Sequence, residues 1–219
     1  MHRLLVLLLA CSTVSVCQTT APETGSVQGV VLDEKGDPLA DATVFVGTMT
    51  KGPSTQTDQK GRFTLTGVPS GTVGLHAYKK SAGYPYDLFA FFVAPSAKLP
   101  FIEVIAGETT AGVTIQLGER AAHLSIKITD QNENEVDATV ELTRPDLGKY
   151  GEYRTSAKGG LDLMVPPVPF RMRVKAQGFC AWQYGSSKWS PDSGLISIRS
   201  GESLDVPVQL KKPNPGCGD

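Results

Sequence analysis

The chain has no surplus of positive charge: 21 Lys and Arg face 22 Asp and Glu across 219 residues. Proteins that hold nucleic acid through its phosphates need a basic excess, so that class is excluded. Histidine is scarce, and beyond the first few residues only His76 and His123 remain. Neither has a His or Glu at ligand spacing, so neither a metal nor a metallopeptidase centre is expected. There is no Gly-x-Ser-x-Gly nucleophile motif and no Asp-x-Asp-x-Asp-Gly calcium loop. No pattern of carboxylates suggests acid–base work. Catalytic residues and cofactors are therefore not expected. No apolar run approaches the roughly 20 residues of a membrane-spanning helix. Amphipathic helices are also missing, because 23 Gly and 15 Pro interrupt the chain too often for one.

The apolar run that does exist, Leu4 to Ala10, follows Arg3 and gives way to polar residues from Gln18. It reads as a secretory signal over residues 1–17, with Ser15 and Cys17 at positions −3 and −1 of the cut. A lipid anchor is the competing outcome. Cys11 has small or apolar residues before it but a short apolar run, while Cys17 has a better run but the large Val16 at −1. The expected location is secreted or periplasmic, with an outer-surface lipoprotein as the alternative. Cys180 and Cys217 remain in the mature chain. They form a candidate disulfide in an oxidising compartment. A buried thiol at Cys180 and a loose tail thiol at Cys217 is the other reading.

A repeat runs through residues 25–212. Asp41-Ala42-Thr43-Val44 recurs as Asp137-Ala138-Thr139-Val140, and Gly83-Tyr84 as Gly178-Phe179. Gly107-Glu108-Thr109 recurs as Gly201-Glu202-Ser203, and Val113 to Leu117 as Val206 to Leu210. The spacing shortens from 96 to 93 residues along the chain, as single loop deletions would produce. Within each unit the hydrophobic period is two, as in Val73-Gly74-Leu75-His76-Ala77 and Leu124-Ser125-Ile126-Lys127-Ile128. Short strands between turn signals indicate all-β sandwiches. The expected organisation is a signal (1–17), a polar linker (18–24), one sandwich (25–118), a divergent second (119–212) and a Pro/Gly-rich tail (213–219).

Turn residues in the first unit have defined backbone tasks. Asp33 can accept from the amides that follow it, Gly36 supplies a positive φ, and Pro38 suits a strand entry. Asp58 and Gly61 repeat the device, and Pro69 and Gly71 frame a third tight connection. Gly29 to Asp33, Gly36 to Leu39, Ala42 to Val44, Thr57-Asp58, Gly61 to Leu65 and Val68 to Gly71 together resemble a carboxypeptidase regulatory-like domain. The resemblance spans about Gly25 to Leu117. It implies a transthyretin-like, seven-stranded Greek-key sandwich, grouped with starch-binding-like folds and attached to secreted proteins as a non-catalytic element. The second unit lacks most of these motifs and joins the first through the repeat.

Two aromatic segments are the candidate binding features. The first runs from Gly83 through Tyr84 and Tyr86 to Phe92, and the second holds Trp182, Tyr184 and Trp189. Exposed rings could hold sugars; the competing reading has Phe89 and Phe91 filling the core and Trp182 and Tyr184 covering an edge. The leading expectation is an exported, non-catalytic structural and interaction module with a cell-envelope protein as partner. The alternative is a carbohydrate-binding protein whose partner is a glycan.

Overall fold

The computed structural model describes residues 23–47, 51–87, 89–185 and 194–213. The segment read as a signal, Trp189 and Cys217 lie outside them. The described chain is all-β, with 14 strands in four sheets. Seven strands fall in the first half: β1 (Thr24–Leu32), β2 (Thr43–Val46), β3 (Ser54–Gln56), β4 (Arg62–Pro69), β5 (Gly71–Tyr78), β6 (Phe101–Val104) and β7 (Thr109–Gln116). Seven more follow: β8 (Ala122–Thr129), β9 (Asp137–Thr143), β10 (Glu152–Lys158), β11 (Gly160–Val165), β12 (Arg171–Lys175), β13 (Trp182–Gln183) and β14 (Ser203–Gln209).

The two halves share one strand order. The first has sheets β4-β1-β7 and β3-β2-β5-β6; the second has β11-β8-β14 and β10-β9-β12-β13. In each, the first and last strands pair in parallel and their other neighbours antiparallel. Alternation explains the layers, because successive side chains of a strand point to opposite faces. Val27, Val31, Phe63, Leu65, Leu75, Val113 and Ile115 fill the first core. Leu124, Ile126, Ile128, Val140, Leu142, Met172, Val174 and Val206 fill the second. Gly29 marks a close approach within the sheet: a Cβ there would sit 2.1 Å from the Val113 carbonyl oxygen and 2.8 Å from the Phe63 ring.

The predicted turns take the conformations their residues suggest. Asp33 Oδ1 accepts the amides of Lys35 and Asp37, both at 2.9 Å, and Gly36 has φ 87°. Asp58 Oδ1 accepts those of Lys60 and Arg62 at 2.8 Å, and Gly61 has φ 70°. Pro38 forms a bridge with Leu32. Pro69 ends β4, and Gly71 opens β5 with φ 110°. The second half keeps the first loop with other residues. Asp130 Oδ1 accepts Asn132 and Asn134 amides at 2.7 and 2.9 Å, and Glu133 stands at φ 64° where the first half has Gly36.

Candidate functional site

The segment between β5 and β6 links the two sandwiches. Its start belongs to the first half. Tyr84 is 6% exposed and packs in the first core, and its hydroxyl donates to the Glu34 carboxylate. Glu34 Oε1 in turn accepts Arg120 Nε at 3.0 Å, so this core tyrosine is tied to the junction between the halves. The Gly83 carbonyl accepts the Ala121 amide at 2.9 Å, and Arg120 packs against the Cα of Gly83.

Tyr86 and Asp87 then cross the outer face of β2 and β5. Alternation turns Val44 and Val46 inward and Phe45 outward, yet Phe45 is fully buried. Its cover is aromatic: Tyr86 stacks on it at 4.9 Å, His76 at 5.2 Å, and Tyr78 meets it edge-on at 6.0 Å. Asp87 is buried, with Oδ1 3.3 Å from His76 Nδ1. The two are close enough for a charge contact but not aligned as a hydrogen bond. His76 is thus a half-buried strand residue beneath a crossing segment, and His123 is exposed on β8. Among the described residues no three His, Cys, Asp or Glu side chains gather to hold a metal.

Beyond Asp87 the segment enters the second half. Ala90–Phe92 form a 3-10 turn, and Phe91, fully buried, lies in the second core. Its ring is 6.0 Å from both Phe170 and Tyr153, and Phe92 packs edge-on against Tyr153 at 4.9 Å. The competing reading that Phe89 and Phe91 fill the core holds for Phe91, which enters the core of the second sandwich, and is corrected for Phe89, which is 55% exposed. The tight turn replaces the strand period of two, which sends the two rings in unrelated directions.

Arg144, just after β9, closes over the inserted turn. Its side chain is 2% exposed. Nη1 donates to the carbonyls of Val93 at 2.5 Å and Phe91 at 3.2 Å, with Ala90 at 3.4 Å. Nε and Nη2 grip the Asp146 carboxylate at 3.2 and 2.8 Å. The Arg144 hydrogen bonds hold Asp146 below the ordinary carboxylate range. A buried guanidinium is tolerated where its donors are satisfied, and here backbone acceptors and a carboxylate do so. This clasp of Phe91 and Arg144 was not foreseen from sequence. The one visible signal was a run of aromatics longer than a strand connection needs.

The second aromatic segment is packed as well. Trp182 and Tyr184 are half-buried against the second core, 6.4 Å apart and edge to face. Tyr84, Tyr86, Trp182 and Tyr184 are therefore all engaged in packing, while Trp189 lies outside the described residues. Cys180 is disulfide-bonded, to a cysteine outside the described residues. Its amide donates to the Lys211 carbonyl at 2.8 Å, and its Sγ lies 3.4 Å from the Lys212 carbonyl oxygen.

Among solved structures, the chain is similar to the Bacillus anthracis TIE protein, with 21% identity and a TM-score of 0.33. That likeness covers 87% of this chain and 34% of the other, so the chain spans about a third of that protein. The minor pilin GBS52 of Streptococcus agalactiae gives 12% identity, 89% and 99% coverage and a TM-score of 0.37. The shaft pilin SpaA of Lactobacillus rhamnosus GG gives 10% identity, 87% and 98% coverage and a TM-score of 0.33. Scores at this level carry no inference about activity or partners. No curated protein sequence matches the chain. Residues 26–86, from β1 to the tyrosine that covers Phe45, match the carboxypeptidase regulatory-like domain.

Proposed function

We propose that the chain is an exported, non-catalytic structural and interaction module, made of two copies of one sandwich clasped to move as a single body. The copies extend over residues 25–118 and 119–212. The observation that carries this reading is the burial of Phe91 in the second core beneath Arg144. Domains joined only by a short linker move freely by default, and a shared hydrophobic core removes that freedom. Common ancestry of the halves is supported by their identical strand order and by matching Asp-initiated loops at Asp33 and Asp130.

Export is supported by the apolar leader and by a disulfide at Cys180, since such bonds persist in oxidising compartments. The partner of Cys180 in this reading is Cys217, because the chain at Lys211 and Lys212 already runs beside Cys180. Peptide mapping under non-reducing conditions tests the pairing. Mass spectrometry of the mature N-terminus distinguishes cleavage before Gln18 from a lipid-modified cysteine.

The clasp is tested by calorimetry and small-angle scattering on the mature chain. One cooperative unfolding transition and one compact arrangement in solution are expected. Phe91→Ala should split the transition and broaden the scattering profile. Two independent transitions in the unaltered protein would sink the single-body reading.

A further inference from the structure

The outer face of the β10-β9-β12-β13 sheet takes no part in the clasp. Alternation along β12 buries Met172 and Val174 and turns Arg171, Arg173 and Lys175 outward. Register sets their neighbours: Arg173 lies between Glu141 of β9 and Gln183 of β13, and Glu141 lies between Arg173 and Arg154 of β10. Arg171 is flanked by Thr143. Arg154, Arg171, Arg173 and Gln183 line a groove of about 260 Å³ together with two acids, Glu141 and Glu152.

The acid at the centre of the groove is already engaged. Glu141 is 15% exposed, and its Oε1 accepts Lys175 Nζ at 2.9 Å and stands 3.2 Å from Arg154 Nε. One carboxylate oxygen thus serves two cations. Arg171 Nε is buried with no hydrogen-bond partner among the described residues. Buried donors in native proteins nearly always have an acceptor, so this one marks a place where an acceptor fits.

The geometry points to a docking groove for an extended acidic segment of a partner protein, with Asp or Glu at alternate positions. Along β12 the groove holds Arg171 and Arg173 two residues apart on one face, about 6.7 Å at the usual strand rise. The same-face side chains of a partner in extended conformation repeat at that same distance. Guanidinium forks match carboxylates two bonds at a time, which point charges do not. An acidic glycan is the rival occupant and an outcome of the test: Tyr153 lines the groove, although it and Trp182 also pack against the second core. The inference rests on the reading of the chain as a partner-binding module and uses none of the clasp's contacts.

The test is fluorescence anisotropy of the mature chain with a labelled peptide of Thr-Glu repeated four times. Saturable binding is expected, weakened at least tenfold by the paired change Arg171→Gln and Arg173→Gln. A peptide of the same composition with its glutamates in one block should bind at least fivefold more weakly. Lys60→Gln, in an exposed turn of the first sandwich, should leave binding unchanged. The Arg171→Lys, Arg173→Lys pair keeps the charge and loses the fork; it should also weaken binding, and it carries the test if the Gln pair misfolds. No binding by the unaltered chain, equal binding of the two peptides, or binding of polygalacturonate in place of either peptide would overturn the inference. None of those outcomes alters the melting transition that reports the clasp, so the two readings fail separately.

Discussion

The first half reverses its chain after β1 with Gly36, and the second makes the same reversal after β8 with Glu133. A glycine takes a positive φ without steric cost, whereas a side chain there is strained. What both loops share is the aspartate that opens them, whose Oδ1 collects the amides two and four residues on. The second loop adds a contact of its own, Asn134 Nδ2 donating to Asp130 Oδ2 at 3.0 Å. The loop path therefore depends on the acceptor at its start more than on the glycine at its bend. That is how a divergent copy keeps the fold after losing the motif.

The largest test of the comparison lies where the halves meet. Phe91→Ala empties a site in the second core and should cost about 3–5 kcal/mol in chemical unfolding, the range for large-to-small core changes. An equivalent truncation of the exposed Phe89 should move the midpoint little. Arg144→Met should cost about 2–4 kcal/mol, because it leaves the carbonyls of Phe91 and Val93 without their donor.

Paired glycines give the next contrast. A Cβ on Gly61 would meet backbone, the Val31 oxygen at 2.7 Å and the Leu39 nitrogen at 2.9 Å. One on Gly159 would meet the side chain of Glu135, which can swing away. Both have positive φ, so alanine strains both, but Gly61→Ala should cost about 2–3 kcal/mol and Gly159→Ala about 1 kcal/mol. In the opposite direction, Glu133→Gly should raise stability by about 0.5–1 kcal/mol by relieving a positive φ. Gly36→Glu should lower it.

The smallest effects concern acid. Amide donors of Arg62 and Lys60 hold the Asp58 carboxyl below its ordinary value, and the Asn134 side chain and amide do the same for Asp130. A depressed native pKa stabilises the fold above the unfolded value and loses that contribution as pH falls below about 4. Asp58→Asn and Asp130→Asn should each flatten the acid limb of a stability–pH curve measured by denaturant midpoint.

The sandwiches were legible because their periods are local. Val27 and Val31 in β1, and Leu124, Ile126 and Ile128 in β8, announce an inward face two residues at a time. The turns were legible because Asp and Gly have few other reasons to recur at those offsets. The clasp was not, for a physical reason. Phe89 and Phe91 alternate like strand residues, and nothing local says that a 3-10 turn will separate them or that the core receiving Phe91 lies in the other half. Nothing local marks Arg144 either, because the carbonyls of Phe91 and Val93 that its Nη1 reaches lie more than fifty residues away. His76 and Asp87 were invisible as a pair, since Asp87 sits on no element with a period to read.

In each half the strand that begins the sandwich and the strand that ends it lie side by side and run the same way, β1 with β7 and β8 with β14. Tension between the chain's two ends would pull one strand of each pair from its start and the other from its finish. The hydrogen bonds between them would then be loaded together in shear instead of being peeled one after another. Because the halves follow one another in sequence, the same load would pass through both pairs in series, and the weaker pair would set the resistance of the chain.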